Sequence, residues 1–271
     1  MIASKRLSGF AALLLGVLLA TPAIAQEEPR FCPNRPDLGS GACTTLPGQV
    51  HVELSVLDWQ RDEDAETRED QLIAGDVLLR IGLGSTTEVQ LGWTAAGSVR
   101  TRTLASGAVS RDAGTGDVMI GLRQNLKNPD GQGLSIALEP SVTLPTGGDA
   151  IGAGTWSAAM TVPVGLELNN DWALAFTGTV GAVADSDGEG RHSAFGAILG
   201  LQRSVGDTVT LVGELAANRE DEPGERRTET FAAASVAWRP VQRVQLDLLA
   251  VVGLNRDSPD VRLVTGGAFL F

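Results

Sequence analysis

From Gln49 to the C-terminus, apolar side chains recur at every second position in one segment after another. Val50, Val52, Leu54 and Val56 alternate with His51, Glu53 and Ser55. Val77, Leu79 and Ile81 alternate with Asp76 and Arg80. Val89, Leu91 and Trp93 alternate with Glu88 and Gln90, and Val118, Ile120 and Leu122 with Met119 and Arg123. Strand side chains point to opposite faces in turn, so each segment carries one apolar and one mixed face. A helix would need apolar spacings of three and four, which these runs lack. Similar runs follow near Leu134, Trp156, Trp172, Phe195, Val209, Thr228, Val244 and Val261. The pattern predicts about twelve strands of about ten residues, an even number at the length a tilted membrane strand needs.

The connections sort into two kinds. WQRDEDAETRED, the stretch around Gly97 to Gly114, PTGGDAIGAG, DSDGEGR, REDEPGERR and NRDSPD are mostly long, and several are strongly charged. They alternate with the short GLGST, KNPDGQ, NND, SVGD and RPVQR. Short periplasmic turns and longer outer loops are the habit of outer-membrane barrels. A periplasmic β-sandwich, the main rival fold, has no reason to sort its loops this way. The predicted fold is therefore all-β, an antiparallel transmembrane β-barrel over residues 48–271 with both ends of its strand path in the periplasm. Trp59, Trp156, Trp172 and Trp238 fall at strand ends, the depth at which indole is favoured.

Residues 1–25 read as an export signal. Lys5 and Arg6 precede an apolar run from Leu7 to Ala20, and Ala23-Ile24-Ala25 forms a small-residue cleavage site. Localisation in the bacterial outer membrane, after cleavage near Ala25, follows. Residues 26–47 are Pro-rich and unpatterned, and read as a periplasmic arm outside the barrel. They hold the chain's two cysteines, Cys32 and Cys43. In an oxidising compartment an isolated even pair is expected to form a disulfide, here closing CPNRPDLGSGAC.

Alternation directs Glu53, Asp76, Arg80, Glu88, Asp117, Arg123, Glu139, Glu167, Glu214, Asp247 and Arg262 to the lumen. A charge on the lipid face would cost a few kcal/mol near the midplane. With eight acids among these residues and a net charge of −12, an open lumen is expected to favour cations. The acidic balance excludes a nucleic-acid partner. The two histidines, His51 and His192, fall at opposite depths and have no nucleophile partner in any motif, so no enzyme is expected. The glycine-rich stretches GTGD and PTGGDAIGAG lack the lysine and the strand–loop–helix setting of a phosphate loop. No metal site and no cofactor are expected. The expected partners are outer-membrane lipid, a small-molecule solute, and the barrel assembly machinery through a last strand ending in Phe271; the barrel is expected to be a monomer.

Three short motifs sharpen this reading. Gly114, Gly116 and Asp117 open a strand with a GxGD pattern, Leu144, Pro145, Thr146 and Gly147 form an LPTG turn, and Asn169, Asn170 and Trp172 form an N-x-x-W-type turn. Together, over about Ala113 to Gly181, they resemble the outer-membrane β-barrel family labelled transporters of the meta pathway of phenol degradation. The resemblance implies a channel or transporter that passes small molecules, hydrophobic or aromatic ones among them, across the outer membrane. The alternative is a structural or surface-interaction barrel with a sealed lumen and no transport.

Overall fold

The computed structural model describes residues 29–185, 190–222 and 224–271. The predicted signal segment lies outside the described residues. Thirteen strands follow in order: β1 (Val50–Glu63), β2 (Thr67–Gly82), β3 (Thr87–Thr103), β4 (Val109–Gly114), β5 (Val118–Lys127), β6 (Leu134–Leu144), β7 (Ser157–Glu167), β8 (Trp172–Ala184), β9 (Arg191–Val205), β10 (Val209–Glu222), β11 (Glu225–Val241), β12 (Val244–Gly253) and β13 (Val261–Leu270). Twelve of them form a closed antiparallel ring. Each pairs with its neighbours, β3 pairs with β5, and β13 returns to pair with β1. Closure leaves no unpaired edge in the membrane, as a spanning sheet requires.

The extra strand, β4, pairs only with the outer part of β3. It falls in the Gly97–Gly114 stretch that the sequence assigns to a loop. The acidic stretch after Trp59 behaves likewise. Its residues continue the ladder of β1 and β2 as far as Glu63 opposite Arg68, with the turn confined to residues 64–66. β10 and β11 run on to Glu222 opposite Glu225. Polar side chains do not oppose pairing once the strands have left the membrane, and a ribbon satisfies each backbone N–H and C=O that a loop would leave to water.

The barrel is apolar outside and polar inside. Ile120, Phe176, Leu199, Leu215 and Leu248 are among the exposed large hydrophobics, whereas His51, Arg80, Glu88 and Arg123 are fully buried. Tryptophans mark both ends, and an arginine lies over three of them: Arg61 over Trp59, Arg191 over Trp156 and Arg203 over Trp172.

One irregularity changes the alternation. Along β1 the pairing with β13 steps from Ser55–Gly266 to Leu57–Thr265, leaving Val56 as an extra residue, and β2 keeps register with β1 by passing Gly75, which has φ +70°. Such a bulge inserts a residue and reverses the facing of everything beyond it. Glu53 and Ser55 point inward below it, while above it Asp58 is the buried residue. Strict alternation from Glu53 would have turned Asp58 outward.

Candidate functional site: the barrel interior

The arm is inside the barrel. This corrects the placement of residues 26–47 outside it: the described residues from Arg30 to Leu46 are bonded to the inner wall. Pro33, Pro36 and the glycines at 39 and 41 keep this segment from forming a strand. Its backbone groups therefore lack ladder partners, and the inward carboxylates and guanidinium groups of the wall supply them.

The segment is a finger that enters at the periplasmic mouth, turns near Leu38 and returns. At its base Arg30 donates to the carbonyls of Thr44 and Pro129, and Cys32 and Cys43 are joined by a disulfide with Cα atoms 6.2 Å apart. His51 is held between the Cys32 N–H, which donates to Nε2 at 3.2 Å, and the Thr45 hydroxyl, 3.0 Å from Nδ1. Nε2 thus accepts, and Nδ1 carries the ring proton of a neutral imidazole.

Two buried arginines organise the return limb. Arg80 bonds Glu53 at 3.0 Å, Glu88 at 2.7 Å and the carbonyls of Cys32 and Cys43 at 2.7 and 2.8 Å. Arg123 bonds Glu139, the Cys43 carbonyl at 2.6 Å, Asn34 at 2.9 Å and Ser40 at 2.8 Å, and lies 3.3 Å from Glu88. Every charge in this group has an opposite charge beside it, the condition under which ions stay buried. Higher in the lumen, Glu53 accepts from the backbone N–H groups of Asn34 and Arg35, each at 3.1 Å. Glu214 accepts from Leu38 and Gly39 at 2.8 and 3.2 Å. Arg35 pairs with Asp247 at 2.7 Å. Leu38, at the tip, packs, as does Phe231, against the buried cluster of Ala233, Leu249, Val251 and Val264.

Seven of the residues that alternation directs inward therefore meet at the finger: Glu53, Arg80, Glu88, Arg123, Glu139, Glu214 and Asp247. The others lie elsewhere. Arg262 makes a two-pronged pair with Asp58, at 2.9 and 2.6 Å. Asp76 accepts from Thr94 at 2.8 Å. Asp117, one residue before β5, holds the outer β6–β7 connection through the N–H groups of Gly147 and Ala153. Glu167 is exposed at the periplasmic end of β7 and accepts from Gly133 N–H at 2.7 Å. Sequence reasoning missed Asp58, hidden by the bulge, and Arg35, hidden by the placement of the arm.

The finger does not fill the lumen evenly. It bonds to β1, β2, β3, β5, β6, β8, β10 and β12, with the buried arginines on β2 and β5. Toward β7–β10 the inward side chains are small, including Gly165, Ala175 and Gly200, and a cavity of about 260 Å³ runs between them and the finger. A second cavity of about 280 Å³ lies above the tip, lined by Leu38, Ile198, Ala216, Phe231, Val251 and Arg262. Both reach Ile198. Asp37 borders the lower cavity, with one carboxylate oxygen buried and without a hydrogen-bond partner. Burial, and then the nearby Glu214, Asp247 and Glu53 carboxylates, push its carboxyl up to about 8.

That shift gives the docked finger a pH dependence. A raised carboxyl favours the docked state while it is protonated. The contribution is full below the ordinary carboxylate range and is lost as the pH rises through about 8. Ionic current in planar bilayers should therefore become noisier and larger as the pH rises from about 4 to about 8, and level off above that. Asp37→Asn should flatten the profile; an unchanged profile in that variant would assign the dependence to another group.

A family model with the description "Putative MetA-pathway of phenol degradation" matches residues 33–271, from the finger to the last residue. No match is found among curated proteins. Among solved structures, an outer-membrane channel from Pseudomonas putida F1 is similar with a TM-score of 0.71 at 15% identity, covering 87% of this chain and 100% of that one. The NanC porin is similar with a TM-score of 0.51 at 9% identity, covering 79% and 98%. The translocator domain of the autotransporter NalP from Neisseria meningitidis has a TM-score of 0.52 at 11% identity, covering 83% and 88%. At such identities these likenesses establish the fold.

Proposed function

The chain belongs to this phenol-degradation family, and from that premise we propose that it is an outer-membrane channel for small molecules, with uncharged hydrophobic or aromatic solutes as its cargo. The observation that carries the reading is the pair of cavities on either side of the finger tip, both reaching Ile198 on β9, on a wall that holds the finger through Thr177 and Glu214 and not through the buried arginines. A solute entering from outside meets Leu38, Phe231 and Val251 in the upper cavity, an apolar side suited to a ring, with Gln60, Asn218, Glu229 and Arg262 around it to meet a hydroxyl. It then passes Gly165, Ala175 and Gly200, with Thr177, Gln202 and Glu214 beside them, where a small finger displacement widens the path without breaking the arginine network. Catalysis finds no support in the histidines. The hydroxyl on His51 belongs to Thr45, which is fully buried, and His192 bonds Asp185 at the outer end of β9.

In this reading the chain is exported and cleaved near Ala25, the exposed Phe271 at the end of β13 is read during assembly, and the barrel works as a monomer. The observation behind the alternative, a sealed barrel with a surface role, is the density of bonds between finger and wall. Planar-bilayer recording separates the two. A channel gives discrete current steps, and phenol added on the outer side should interrupt them in a concentration-dependent way. A membrane-inserted barrel that passes no current would establish the sealed reading.

A further inference from the structure

On the outer part of β1–β4, the arginines are gathered on the outward face. Cross-strand partners share a face, and Arg61, Asp70, Arg100 and Arg111 stand opposite one another in a single row across the four strands. The next row outward holds Glu63, Arg68, Arg102 and Val109. The row beneath them holds Trp59, Leu72, Ser98 and Ala113, with Leu72 exposed and Arg61 lying over the Trp59 ring. The arginine rows thus begin directly above the aromatic edge of the apolar belt, at headgroup height.

The two rows carry five arginines and two carboxylates, in a chain whose overall charge is −12. Asp70 is shared by Arg61 at 2.8 Å and Arg100 at 3.5 Å, and Glu63 is taken by Arg68. Arg102 and Arg111 are exposed and have no acidic partner among the described residues. Strands in a sheet lie about 4.8 Å apart, so Arg100, Arg102 and Arg111 can converge on one anion. We propose that this face is a binding site for a phosphorylated glycolipid of the outer leaflet, with its phosphate on Arg100, Arg102 and Arg111 and its acyl chains along Leu72, Ala74 and Trp93 below. Guanidinium groups grip phosphate oxygens in pairs, and the apolar surface continuing down from the rows distinguishes a lipid from a free anion.

The test uses the whole barrel in detergent, titrated with bis-phosphorylated lipid A and with the same lipid after removal of its phosphates, read by native mass spectrometry. The phosphorylated form should be retained at least tenfold better, and an equal concentration of inorganic phosphate should not displace it. The combined variant Arg100→Gln, Arg102→Gln, Arg111→Gln should lose that advantage while keeping its heat-modifiable mobility. Equal retention of the two lipids by the wild-type protein would overturn the proposal without recourse to any variant. Undiminished retention by the triple variant, or displacement by inorganic phosphate, would overturn it as well.

Discussion

Replacing residues 33–42 by a short Gly-Ser linker should raise the conductance of the barrel several-fold and make it strongly cation-selective. The finger occupies the periplasmic half of the lumen, apart from the cavity along β7–β10, and uses the wall's carboxylates as its anchors. With it in place Asp247 is neutralised by Arg35, while Glu53 and Glu214 are capped by backbone N–H groups. The lumen of the intact protein therefore has far less net field than its acidic residues suggest, and the intact channel should discriminate weakly between ions. Without the finger, Glu214 and Asp247 face water with no opposite charge beside them, and a constriction of one sign concentrates counter-ions. Reversal potentials across a potassium chloride gradient measure the change. Unaltered conductance would mean that ions never pass by the finger's route.

Leu248→Arg should abolish most assembly into vesicles, whereas Asp247→Arg should assemble and conduct. The two positions are adjacent in β12 and face opposite ways. Leu248 is among the exposed hydrophobics, and Asp247 is buried against Arg35. An arginine on the lipid face costs roughly 2–4 kcal/mol near the midplane, enough to shift the folding equilibrium more than tenfold. At position 247 the same side chain meets Arg35, so repulsion frees the finger and leaves the ring intact. Urea titration in lipid vesicles, followed by tryptophan fluorescence, compares the stabilities, and bilayer recording reads the released finger. Equal stability of the two variants would contradict the register of β12.

The ring was legible in the sequence because membrane and lumen impose opposite demands on adjacent residues, and every spanning strand repeats that demand. Leu246 and Leu248 outside, with Asp247 inside, carry the signal within three residues. Beyond the membrane the demand lapses, so β4 and the outer reach of β1 and β2 carried polar residues that look like loop. Asp58 was lost for a local reason, since one bulge at Val56 and Gly75 turns odd positions into even ones. The finger was illegible for a deeper one. Its fold comes from carboxylates and arginines far away along the chain, and nothing in CPNRPDLGSGAC says that Glu214 and Asp247 will supply its missing hydrogen bonds. The disulfide, by contrast, needed only two cysteines and an exported chain.

Arg35 also has a consequence for how the cylinder is shut. Its guanidinium bonds Ser55 on β1 and Asp247 on β12, and between them it lies over Gly266 on β13, where a Cβ would come within 2.7 Å of it. The seam that joins the first strand to the last is thus clasped from within by a single side chain, and glycine at 266 leaves room both for the Leu54 carbonyl, which a Cβ would strike, and for the clasp. The residue that fastens the seam precedes β1 in the chain and is made before any strand, yet its grip on β12 forms only once β12 has come round. The β1–β13 ladder closes the cylinder and the seated finger then fastens it, so a barrel that closed with its finger outside would lack its inner fastening.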